Sequence, residues 1–144
     1  MTLLLVMLGG AAGAVVRYLV DQVLCHRSTS APAHSAMPDT GAATTPNHHA
    51  PAAETPAPGP FPHGTLAVNV AGSLILGLLA GLGSGVPGPV GALLGTGFCG
   101  ALTTWSTFAV QTVQLVPRRL AVLNVAATLV LGLGAAVLGR ALTL

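Results

Sequence analysis

The chain has 144 residues, of which 52% are hydrophobic and only 6% charged, and its mean hydropathy is +0.79. Soluble domains carry about a quarter charged residues, so this composition describes a membrane protein. The net charge of +2 comes from five arginines and no lysine, set against Asp21, Asp39 and Glu54; such dispersed bases form no stripe for a phosphate backbone, which excludes nucleic acid as a partner and leaves membrane lipid.

Four apolar stretches near the roughly 20 residues needed to cross a bilayer predict an all-α membrane protein with one membrane domain over residues 1–144. The first helix runs from about Thr2 to Leu24. It is too long for a signal-peptide core and lacks a basic start, so it is kept as structure. Gly9 and Gly13 lie four apart on one face, a spacing that lets backbones pack closely. Arg17 has three open placements: snorkelling to the interface, pairing with Asp21 one turn on, or standing at the mouth of a path.

Residues 25–62 are dominated by Pro, Ala, Thr, Ser and His, without apolar periodicity. This composition cannot bury enough surface to offset its ordering entropy, which predicts a disordered loop. His26, His34, His48, His49 and the nearby His63 show no ligand spacing fixed by a fold, so they read as linker. Cys25 and Cys99 fall in different settings, which argues against a disulfide, and no metal-ligand spacing accompanies them.

The second helix, about Gly64 to Gly83, carries Asn69, Ser73, Gly77 and Gly81 at intervals of four. The glycines read as a packing face. An asparagine at mid-membrane is costly unless its amide is used, by a neighbouring helix or by something passing. After the turn Gly85-Val86-Pro87-Gly88-Pro89, the third helix spans about Val90 to Val116, with Gly91 and Gly95 as another small pair. Pro117-Arg118-Arg119 closes it, and the fourth helix follows from about Leu120 to Leu142, with Asn124, Thr128 and Gly132 again at intervals of four. Two helices thus carry one polar, small-residue stripe each, and two such stripes can line a narrow path. Arg27, Arg118 and Arg119 fall on one side and Arg140 near the other, which favours both loops in the cytoplasm. The bias is small and leaves inverted or dual insertion open.

Most informative is the third helix between Gly97 and Phe108, where four hydroxyls and three aromatics interrupt an apolar segment. Gly100 and the consecutive Thr103 and Thr104 are poor helix formers, which predicts a break near mid-membrane. Backbone freed there must be satisfied inside the protein, and its carbonyls can hold a cation. Trp105 and Phe108 share roughly one face, and a ring edge favours an anion. No Asp or Glu lies in the second, third or fourth helix. Amides, hydroxyls and ring edges suit a small anion better than a cation. Nothing resembles a nucleophile–base pair, a phosphate loop or a metal triad, so the chain does not read as an enzyme.

Three ordered segments carry a family resemblance. Gly9 to Tyr18, Gly64 to Asn69 with Gly72 and Gly77, and Gly97 to Phe108 resemble the first-helix, second-helix and broken third-helix motifs of the CrcB, or Fluc, family of fluoride channels. The resemblance covers all four helices and omits the long loop. It implies four transmembrane helices per subunit, an antiparallel dimer with two fluoride pores, and a central structural sodium ion. Gly100 and Thr103 match the positions whose backbone carbonyls hold that sodium. Asn69, Thr104, Ser106, Thr107, Asn124 and Thr128 match polar residues along the pore, and Arg17 matches the arginine near its entrance. Trp105 and Phe108 match a pair of phenylalanines whose ring edges face fluoride, with Trp105 departing from the usual residue. The long loop and the arginine asymmetry hint at fixed orientation and a paralogous partner subunit in place of a second copy. The implied function is passive, fluoride-selective efflux by a multi-pass plasma-membrane protein. Two alternatives stay open on the residues alone: a small proton-coupled multidrug exporter, which would want a first-helix Glu, and a non-transporting membrane subunit held by small-residue packing.

Overall fold

The computed structural model of the protein describes residues 1–28 and 61–144. Residues 29–60, most of the stretch read as a disordered loop, lie outside the described residues. The helices are α1 (Thr2–Ser28), α2 (His63–Leu82), α5 (Ser106–Gln114) and α6 (Arg118–Ala141), with the third span opening on the short turns α3 (Gly88–Val90) and α4 (Gly100–Leu102) around a π-helical run, Gly91–Cys99. Four segments are long and apolar enough to cross a membrane: Thr2–Leu24, His63–Gly85, Gly88–Gln114 and Arg118–Ala141. Helix is the form a bilayer enforces, because each backbone polar group must be satisfied within its own segment.

Boundaries differ from the sequence expectation by one to four residues, each for a local reason. The first helix continues through Ser28 instead of stopping at Leu24; no Gly or Pro stands between Leu24 and Ser28 to end it. The third span begins at Gly88 because Pro89 fits the first helical turn, where its missing N–H costs nothing. Pro117 likewise stands just before α6, which starts at Arg118. At the end of α2, Gly83 takes φ 50°, a conformation that glycine reaches without a Cβ penalty.

Two pairs of helices approach through glycine. A methyl group at Gly9 would collide with the Leu93 carbonyl, and one at Gly13 with that of Phe98, so α1 lies directly on the π-helical run. On the other side of the chain, Gly77 faces the Ala136 backbone, Gly81 faces Arg140, and Ser73 lies near Gly132. Each step of one turn along α2 matches one turn along α6, so the two helices run parallel in constant register. Thr143 closes the far end of this seam, its hydroxyl donating to the Leu78 carbonyl at 3.3 Å. The buried apolar residues Val68, Cys99, Leu102, Phe108 and Leu115 form a small core, while α1 and α6 turn rows of leucine and valine outward. Lipid is as apolar as leucine, so association here relies on close packing and hydrogen bonds.

Candidate functional site

The register of α2 and α6, carried back from Ser73 and Gly132, sets Asn69 opposite Thr128 and Thr65 opposite Asn124. The third span is interrupted beside these residues. Helix ends at Leu102, Thr103 turns to φ −75°, ψ 152°, and helix resumes at Ser106. Asn69 holds the interruption in place. The Thr104 N–H donates to its Oδ1 at 2.8 Å, and its Nδ2 donates back to the Thr104 carbonyl at 3.3 Å. One side chain thus satisfies both backbone polar groups of a residue that has left its helix, which an apolar environment requires.

Within the break, the Thr107 N–H donates to Thr104 Oγ1 at 3.3 Å, while the Thr104 hydroxyl donates to Thr107 Oγ1 at 3.1 Å. Thr104, one residue before the N-cap Trp105, therefore satisfies one of the N–H groups that the start of α5 leaves open. These two captures share a consequence. In an unbroken helix Thr104 N–H would serve the Gly100 carbonyl and Thr107 N–H that of Thr103. Both donors go to side chains instead, so the carbonyls of Gly100 and Thr103 are released. Gly100 is exposed, and a Cβ built there would meet nothing. The Thr103 hydroxyl is spent locally, donating to the Cys99 carbonyl at 2.8 Å.

Trp105 and Phe108 form a tilted ring pair, with centroids 5.4 Å apart and planes at 46°. Their settings differ: Phe108 is 6% exposed and Trp105 75%. Ser106 is exposed at the start of α5.

A second polar cluster lies beyond Phe108. Asn124, 1% exposed, donates through Nδ2 to Thr112 Oγ1 at 2.8 Å, and the Thr112 hydroxyl donates to the Phe108 carbonyl at 2.6 Å. Thr65, 2% exposed, donates to Gln111 Oε1 at 2.6 Å. Thr65, Gln111 and Thr112 were not singled out from sequence as functional. Thr65 had a signal, since it stands one turn before Asn69 on the same face. Thr128 behaves differently from the rest: its Oγ1 is buried without a hydrogen-bond partner. An unmet buried hydroxyl costs about 1–3 kcal/mol and calls for an explanation.

Arg17 is half-buried on α1, one turn beyond Gly13 and its contact with Phe98 and Leu102, which brings it toward the level of the interruption. Asp21 does not pair with it, and its carboxylate lies close to Gly64 in the first turn of α2. A carboxylate near a helix N-terminus is favoured by the dipole, so this approach suits the start of α2. Among the described residues no three His, Cys, Asp or Glu side chains are grouped to hold a metal.

Fold and site together define a small multi-pass helical membrane protein whose buried polar side chains, among the described residues, gather at one helix interruption and the seam beside it. The chain belongs to the CrcB-like family: residues 4–140 match the family described as CrcB-like protein, Camphor Resistance (CrcB). It is 43% identical, over 99% of both chains, to a protein of Rhodococcus jostii (strain RHA1) named Fluoride-specific ion channel FluC 2. It is also 40% identical, over 99% of its own length and 95% of the relative's, to Fluoride-specific ion channel FluC 1 of Frankia casuarinae. A third relative, Fluoride-specific ion channel FluC 1 of Thermobifida fusca, is 39% identical over 98% of this chain and 94% of its own.

Proposed function

We propose that this chain is a fluoride-specific ion channel of the plasma membrane, which lowers cytoplasmic fluoride by letting the anion leave passively. The observation that carries the reading is the donor inventory around the interruption: neutral amides and hydroxyls, with no Asp or Glu from His63 to Leu144. Relatives named as fluoride-specific channels, similar over nearly the full chain, support the same ion. Asn69, Thr104, Ser106, Thr107, Asn124 and Thr128 supply polar contacts in place of water, and the rims of Trp105 and Phe108 supply partial positive charge. The Thr128 hydroxyl, without a partner in the protein, is the donor freest to meet an ion. Arg17 raises the local anion concentration at the entrance.

Hydrogen fluoride crosses a bilayer uncharged and ionises in a less acidic cytoplasm. A negative-inside potential then drives the anion outward with about 2.3 kcal/mol per charge per 100 mV. No proton relay or nucleotide is required, which is in keeping with second, third and fourth spans free of carboxylates.

The reading includes a structural sodium ion and an antiparallel dimer, formed with a second copy or a paralogous subunit. The released carbonyls of Gly100 and Thr103 fit a hard cation, which takes oxygen ligands. When bound, such an ion would pin the interruption through those two oxygens. Two oxygens per chain leave most of its coordination to other ligands, and a second subunit with the same interruption would complete the set. Purified protein in liposomes loaded with fluoride tests the function. Efflux should begin under a potential alone, with no proton gradient. A requirement for a proton gradient would favour an exporter, and vesicles that never leak fluoride would favour a structural subunit.

A further inference from the structure

Past Gly77, the seam between α2 and α6 opens into a trough of about 330 Å³, lined by Leu76, Gly77, Ala80, Ala136, Val137 and Arg140. Small residues form its floor because the helices are held at backbone distance, and larger side chains stand at its edges. The lining is apolar apart from one cation. Arg140 lies in the last turn of α6 and is exposed, where its charge suits the helix C-terminus. No acidic side chain among the described residues stands at this end. Asp21, the one acid described, is at the opposite membrane edge against the start of α2.

We propose that this trough binds an anionic phospholipid, one acyl chain lying in the apolar floor and the headgroup phosphate held by Arg140. Two features favour lipid over a second copy of the chain. A basic pocket between transmembrane helices matches acidic headgroups, and the guanidinium fork can grip a phosphate through two hydrogen bonds. A second copy in the same orientation would bring another Arg140 to this end and its Asp21 to the other; an inverted copy is the competing occupant that the Ala80→Leu assembly measurement tests. The long apolar walls ask for a hydrocarbon occupant, and the terminal arginine asks for an anion at its end. A phospholipid supplies both in one molecule.

Native mass spectrometry of the purified protein, incubated with equal amounts of phosphatidylglycerol and phosphatidylcholine of matched chains, reads this site without any fluoride measurement. Phosphatidylglycerol should be retained preferentially. Arg140→Gln should lower its retention about five-fold, the worth of one cation near an anionic surface. Ala80→Leu, which fills the floor, should lower retention of both lipids. Equal retention of the two lipids by the parent protein would overturn the assignment, as would unchanged phosphatidylglycerol retention in either variant. So would Ala80→Leu reducing the assembly size while leaving the lipid count alone, because that result gives the trough to another subunit.

Discussion

The seam between α2 and α6 uses one spacing for two ends. Toward the chain terminus, Gly77, Gly81 and Gly139 bring backbone against backbone. Toward the start of α2, the same interval brings Thr65, Asn69 and Ser73, facing Asn124, Thr128 and Gly132. The glycine half is dry and set by van der Waals contact. The polar half keeps side chains with donors, and it lies where the third span has lost its helix. The difference teaches that a membrane helix pair can fix its register with glycine at one end and hold a polar niche open at the other.

The contrast is broken most severely by Gly77→Leu. Its side chain has no room against the Ala136 backbone, and the expected loss is about 3 kcal/mol or more, seen as a lower melting temperature in detergent together with lost fluoride efflux. Asn69→Ala strikes the polar half instead. It strands the Thr104 N–H and carbonyl, which should cost about 1–3 kcal/mol and abolish efflux. Asn69→Asp retains the acceptor for Thr104 N–H, so folded protein that fails to conduct is the expected result. Wild-type flux in that variant would remove Asn69 from the ion path.

Thr128→Val sharpens the comparison further. Removing an unmet hydroxyl should leave the melting temperature unchanged or raise stability by about 1 kcal/mol, while efflux falls. Destabilisation with normal efflux would assign Thr128 to packing. The smallest effect is expected outside the seam, at Asp21→Asn. Loss of the charge near the first turn of α2 should cost about 0.3–1 kcal/mol, measured as a shift in thermal unfolding that salt diminishes in the parent protein.

The four spans were legible because apolar runs of bilayer length carry Gly and Pro near several of their ends. The end of α1 was less so: polarity rises after Leu24, yet polarity does not stop a helix that meets no breaker. Small residues at intervals of four in α2 marked a packing face, but the partner face on α6 and its parallel register are properties of two helices together. The partner of Asn69 was hidden for a different reason. It is the backbone of a residue 35 positions away, and backbone has no identity in a sequence. Gln111 and Thr112 were passed over because one polar residue in an apolar helix looks alike whether it meets Thr65 or lipid headgroups. Asp21 could pair with Arg17 by spacing, and only the approach of α2 turned it to Gly64.

Because α2 meets α6 through rigid backbone contacts, its rotation is indexed much as a shaft is held by a key. Deleting a single residue between Asn69 and Gly77 would leave those contacts engaged and swing the amide about 100° around the axis. The Thr104 N–H and carbonyl would then face hydrocarbon unanswered. Angular phase along this one helix, more than the chemistry of any lone side chain, decides whether the interruption can exist in a bilayer.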